Sequence, residues 1–98
     1  MFRKISPDST VNDDGFSVEL VDKMPPSAHT YWAKYTEGDL VVVVEIEGGG
    51  NGFTVYTETL ALVSLQEKVI FTPDRRDQII KNIDEALTFL GINHILEN

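Results

Sequence analysis

Between Phe16 and Glu58 apolar residues recur at every second position, in four short segments, and the spacing changes to that of a helix at only one place, between Ile79 and Leu90. Period two puts alternate side chains on opposite faces of a strand, and period 3.6 puts a stripe along one side of a helix. The chain is therefore bound to an antiparallel sheet with a single helix to cover it. Phe16, Val18 and Leu20 alternate with Ser17, Glu19 and Val21 in the first segment, which Pro25 and Pro26 stop. The second runs from about His29 to Thr36, and Glu37, Gly38 and Asp39 form the turn into the third, Leu40 to Glu47, whose two-sided apolar character suits a central strand. Asn51-Gly52 favours a tight hairpin turn before the fourth, Phe53 to Glu58. The stretch from Thr59 to Phe71 is apolar without a period and reads equally as strand or packed loop.

The helix has both its ends written in the sequence. Thr72 can cap through its hydroxyl, Pro73 suits the first helical position, Asp74 and Asp77 favour the positive end of the dipole, and Gly91 suits the position after the last turn. Its stripe, Ile79, Ile80, Ile83, Ala86, Leu87 and Leu90, needs an apolar surface. The alternation supplies one in Phe16, Val18, Leu20, Tyr31, Ala33, Tyr35, Val42, Val44 and Val55, although a slip of one residue in the second strand would bury Trp32 and expose Tyr31 and Tyr35. The expected architecture is α+β: a single antiparallel sheet of four to six strands with one C-terminal amphipathic helix packed on one face. In a single domain spanning 1–98, residues 1–15 read as a loosely held arm ending in a turn, 16–71 as mainly strands, 72–90 as the helix and 92–96 as a short last strand at a sheet edge.

The opposite sheet face would carry Glu19, Thr30, Trp32, Lys34, Glu45, Glu47, Thr54, Tyr56 and Glu58. Carboxylates with Trp and Tyr among them suit a protein partner, because aromatic anchors supply binding energy while charge raises the on-rate; the plain alternative is a solvated sheet face. The charge is segregated. From Ile5 to Glu67 there are 2 basic and 11 acidic residues, whereas the two ends together hold 6 basic and 5 acidic, within a net charge of −8. Such a charge repels a phosphate backbone, so direct nucleic-acid binding is not expected, and it favours a basic protein. The candidate partner-binding residues are Glu19, Trp32, Glu45, Glu47, Tyr56 and Glu58, with Asp13, Asp14, Glu37 and Asp39 in the turns. Arg75 and Arg76 read as a solvated helix end or as a binder of a partner carboxylate.

Catalytic, metal and cofactor readings lack parts. There is no cysteine, and His29 and His94 stand far apart in the sequence, neither in a metal-binding pair nor at a nucleophile elbow. Thr10 and Val21 occupy the positions where a calcium loop containing Asn12 to Gly15 would need carboxylates. Gly48, Gly49 and Gly50 are followed by no Lys-Ser or Lys-Thr, as a phosphate loop requires. No catalytic, metal or cofactor residue is assigned. The absence of cysteine suits a reducing, cytoplasmic setting, and the longest unbroken apolar run, Leu40 to Val44, is far below the roughly 18 to 20 residues that cross a bilayer, so no membrane span is expected.

The order of elements resembles a known group. Acidic strands, then Gly52-Phe53-Thr54-Val55-Tyr56, then a helix reading Arg75-Arg76-Asp77-Gln78-Ile79-Ile80-Lys81-Asn82-Ile83-Asp84-Glu85-Ala86-Leu87, then Gly91-Ile92 and a short last strand are similar to the small immunity proteins of bacterial polymorphic-toxin and contact-dependent growth-inhibition systems. The resemblance implies a non-enzymatic inhibitor that binds one cognate toxin domain, often a basic ribonuclease or deoxyribonuclease, and occludes its active site inside the producing cell; a monomer is expected in preference to a dimer. A small acidic secretion chaperone or adaptor for a protein client is the alternative.

Overall fold

Alternating side chains build seven strands and periodic ones a single helix in the computed structural model, which describes residues 1–22, 30–49, 52–62 and 72–97, the side chains of 61 and 62 excepted. The elements are β1 (Phe2–Ser6), β2 (Ser9–Asn12), β3 (Phe16–Asp22), β4 (Thr30–Glu37), β5 (Leu40–Gly49), β6 (Gly52–Leu62), α1 (Pro73–Phe89) and β7 (His94–Glu97). All seven strands lie in one sheet, in chain order. Neighbours from β1 to β6 run antiparallel, whereas β7 lies parallel to β6. Parallel neighbours need a crossover, and α1 provides it.

The sheet differs from expectation in two respects. Among the described residues it has seven strands, not four to six, because residues 1–15 form the β1–β2 hairpin in place of a loose arm. Hydropathy conceals this pair because the inward positions of β2 are polar: Thr10 is 1% exposed and Asn12 7%. Both are satisfied locally, Thr10 Oγ1 donating to the Arg3 carbonyl at 2.7 Å and Asn12 Oδ1 accepting from the Asp14 N–H at 2.7 Å. The sheet is also not wholly antiparallel, and its last strand is His94–Glu97 where 92–96 was expected. β6 continues through Leu62, so the first part of the irregular stretch is strand. The expectations for Pro25, Pro26, His29, Gly50, Asn51 and residues 63–71 lie outside the described residues.

The core forms along the expected face, except that Leu20 and Tyr31 are only half-buried. Phe16, Val18, Ala33, Tyr35, Val42, Val44 and Val55 are buried, joined by Ile46 and by Ile79, Ile83, Ala86 and Leu87 of the helix. Each large side chain removed from water here stabilises the fold by about 1.5–3 kcal/mol. Thr72 Oγ1 accepts from the Arg75 N–H at 3.1 Å, and Pro73 opens the first turn. At the other end Gly91, at φ 75°, allows its N–H to reach the Thr88 carbonyl and that of Ile92 the Leu87 carbonyl, both at 3.0 Å. The chain then turns so that Asn93 O accepts from Phe53 N at 2.8 Å, an approach open only because Gly52 has no Cβ: one built there would meet that oxygen at 2.8 Å.

Candidate protein-binding face

Strand register decides what meets on the face away from α1. One row crosses the sheet as Val21, Trp32, Glu45, Tyr56 and Glu97, each paired with the next. The adjacent row holds Thr30, Glu47, Thr54 and Ile95. A third pairs Ser9, Glu19, Lys34 and Val43. Trp32 and Tyr56 thus flank Glu45, half-buried and aligned with it.

A bulge shapes the centre. The pairing of β5 with β6 jumps from Val43↔Ala61 to Glu45↔Tyr56, so β6 spends extra residues there. Thr59 fills the gap: its Oγ1 accepts from the Glu45 N–H at 2.7 Å and donates to the Tyr56 carbonyl at 2.7 Å. From the helix side Arg76 donates to the Thr57 carbonyl at 2.6 Å, holding the bulge against the first turn of α1. A shallow concavity of about 350 Å³ results, lined by Glu45, Glu47, Tyr56, Glu58, Thr59 and Glu97. Its potential is negative. Desolvation, and then the carboxylates of Glu47, Glu97 and Glu45, push the Tyr56 phenol above its usual range. The carboxylates line the concavity without converging: among the described residues no three of His, Cys, Asp and Glu could hold a metal ion.

Of the residues singled out from the sequence, Glu45, Glu47, Tyr56 and Glu58 come together here, with Trp32 beside them. Glu19 lies on the same face, opposite Lys34, which offsets its charge. Asp13, Asp14 and Asp39 belong to turns at one end of the sheet, Asp13 with Arg3 Nε 3.8 Å away. Glu37 departs from its expected role. It projects on the helix side, where Tyr35 Oη donates to its Oε1 and Arg75 to its Oε2 at 2.6 Å. The Tyr35 bond above all, with Arg75 helping against the effect of burial, holds its carboxyl below the usual range. Arg75 and Arg76 are accordingly engaged within the chain. His94 has a side chain 6% exposed, with Nε2 2.6 Å from Asp84 Oδ1 and Nδ1 2.8 Å from the Ile92 carbonyl.

Two residues of the concavity escaped sequence reasoning. Glu97 follows the end expected for the last strand, and only parallel pairing brings it beside Tyr56. Thr59 stands at the first residue of the aperiodic stretch, and that loss of period was the trace of the bulge. Comparison of the chain with protein-family models, curated proteins and solved structures finds no match.

Proposed function

We propose that this protein is an immunity protein: it binds a cognate basic toxin domain of the nuclease type through the Trp32–Glu45–Tyr56 face and neutralises it by occluding its active site. The observation that carries the reading is the concavity itself, four glutamates around one tyrosine with a tryptophan in the same row. A nuclease grips phosphates with Lys and Arg around its cleft. Carboxylates at separate points of a curved sheet can meet those cations one by one in place of phosphates. Negative potential raises the encounter rate, and the two aromatic rings supply the desolvated contact that holds the complex. Non-convergent carboxylates suit such a partner better than they suit a bound metal ion.

No helix among the described residues is long and apolar enough to cross a membrane. The cytoplasm of the producing cell, where a toxin must be silenced before export, is the setting this function requires. Isothermal titration against the toxin domain encoded immediately upstream tests the reading. Saturable 1:1 heat is expected, with nuclease activity lost in step; absence of heat removes the proposal. Charge reversal at Glu45, Glu47 and Glu58 tests the surface separately, and binding that survived all three would move the interface to the turns or the helix.

A further inference from the structure

The two rims of the sheet match one another. Among the described residues the exposed large apolar side chains are Met1, Ile5, Phe89, Ile95 and Leu96. Ile5 lies on β1, Ile95 and Leu96 lie on β7, and Phe89 stacks on Phe2 of β1 at 5.4 Å. Among the described residues these are the two outer strands, each with one side unpaired in the sheet order. Such rims are templates for a further strand, and charge usually guards them. Here the guards differ in sign: β1 carries Arg3 and Lys4, whereas β7 carries Glu97.

Direction and register agree with the charges. Five antiparallel pairings followed by one parallel pairing leave β1 and β7 running in opposite directions. A second copy continuing the sheet with the same face outward therefore sets its β1 antiparallel to β7 of the first. Arg3 pairs with Val11 and thence Ser17 on the acidic face, and β1 is irregular between Lys4 and Ser6, where the exposed Ile5 stands; Ile95 and Glu97 share that face through Thr54 and Tyr56. One register then places Glu97 opposite Arg3, a favourable cross-strand pair, and brings Ile95 to the irregular segment that holds Ile5. Pairing β7 with a second β7, or β1 with a second β1, forms no such pair of opposite charges.

We infer that this protein self-associates head to tail, β7 of one molecule accepting β1 of a second copy as an added antiparallel strand. Each addition leaves one rim of each kind open, so the contact does not close at two copies. One short strand pair is a small interface. The association is concentration-dependent, and dilute protein is monomeric. The inference is independent of the function proposed above, since no toxin takes part in it or in its test.

Sedimentation velocity of the intact chain over a concentration series reads the outcome. The weight-average mass should rise past that of a dimer without a plateau. Glu97→Lys and Arg3→Glu should each raise the concentration of half-association by about threefold or more, since each sets like charges opposite one another. The two substitutions combined in one chain, or the two single variants mixed, should bring it back. Ile5→Thr with Ile95→Thr, which keep strand propensity, should weaken association without altering charge. A mass that stays monomeric throughout, a plateau at the dimer, or single variants that associate like the parent would each overturn the inference.

Discussion

Replacing Tyr35 by Phe removes one oxygen from beneath the helix and leaves the packing unchanged. The ring is fully buried and stacks on Phe16 with centroids 5.4 Å apart, a contact phenylalanine keeps. What is lost is the centre of a chain of hydrogen bonds. Gln78 Nε2 donates to Asn82 Oδ1 at 2.9 Å, Asn82 Nδ2 donates to Tyr35 Oη at 3.0 Å, and Tyr35 donates to Glu37, which Arg75 holds from its other oxygen. In the variant the buried Asn82 amide loses an acceptor that water cannot replace, at about 1–3 kcal/mol. Glu37, partly open to solvent and still held by Arg75, loses less. The expected total is about 2–3 kcal/mol, a fall in melting temperature of roughly 10–20 °C for a domain of this size. Urea unfolding should show the lower midpoint at an unchanged slope. A cost below about 0.5 kcal/mol would refute the network's role.

The same substitution has a signature at both ends of the pH scale. Burial first, and then the bond to Glu37, push the Tyr35 phenol from 10.0 to about 12. Below pH 10 the folded and unfolded chains both keep that proton, so its contribution is fully present. Between pH 10 and 12 only the unfolded chain ionises, and stability is lost as pH rises. Glu37 works in the opposite sense: its folded value is depressed below the ordinary 4.5, so its contribution stands above that pH and is lost as pH falls below it. The stability gap between parent and Phe variant should therefore be widest between about pH 5 and 10 and close toward both extremes. Parallel curves across the whole range would contradict the assignment.

Three further outcomes follow from named contacts. Thr59→Val leaves the Glu45 N–H and the Tyr56 carbonyl without the hydroxyl that joins them, which should cost about 1–3 kcal/mol, while Thr59→Ser should recover most of it; thermal melts of the pair check this. His94→Ala cuts the tie between β7 and Asp84 of α1, so hydrogen exchange at the β7 amides should quicken by about tenfold while the core strands are little changed. Ile83→Ala opens a cavity between helix and sheet at a fully buried position, with an expected loss of about 2–5 kcal/mol in urea unfolding.

Much of this fold was legible because burial alternates along the described parts of β3 to β6 and follows a helical stripe from Ile79 to Leu87. Thr72, Pro73 and Gly91 mark the helix ends because each satisfies a backbone requirement that few other residues meet. What stayed hidden is polar on the buried side or depends on pairing at long range. Thr10 and Asn12 occupy inward positions without being apolar, so a hairpin looks like an arm. Glu37 and Tyr35 are two residues apart on one strand, hence on one face, but that Arg75 would reach them across the helix–sheet interface is a fact of packing.

The binding face depends on this distinction. Alternation alone assigns Glu45, Glu47 and Tyr56 to one side of a regular sheet, where their charges would stand in a plane. The concavity needs two departures from regularity. Extra residues in β6, stitched by Thr59 and gripped from behind by Arg76, break the pairing beside Glu45 and Tyr56 at Glu58. Parallel β7, delivered by the crossover of α1 and seated through Gly52 and Asn93, adds Glu97 at the rim. The helix thus serves the acidic face without touching it: its first turn holds the bulge, and its last, through Gly91, directs β7 to its place. Substitutions on the helix side at Arg76 or Gly91 should accordingly reshape the opposite face, whereas those at the far end of the sheet, at Asp13 or Asp39, should leave it unchanged.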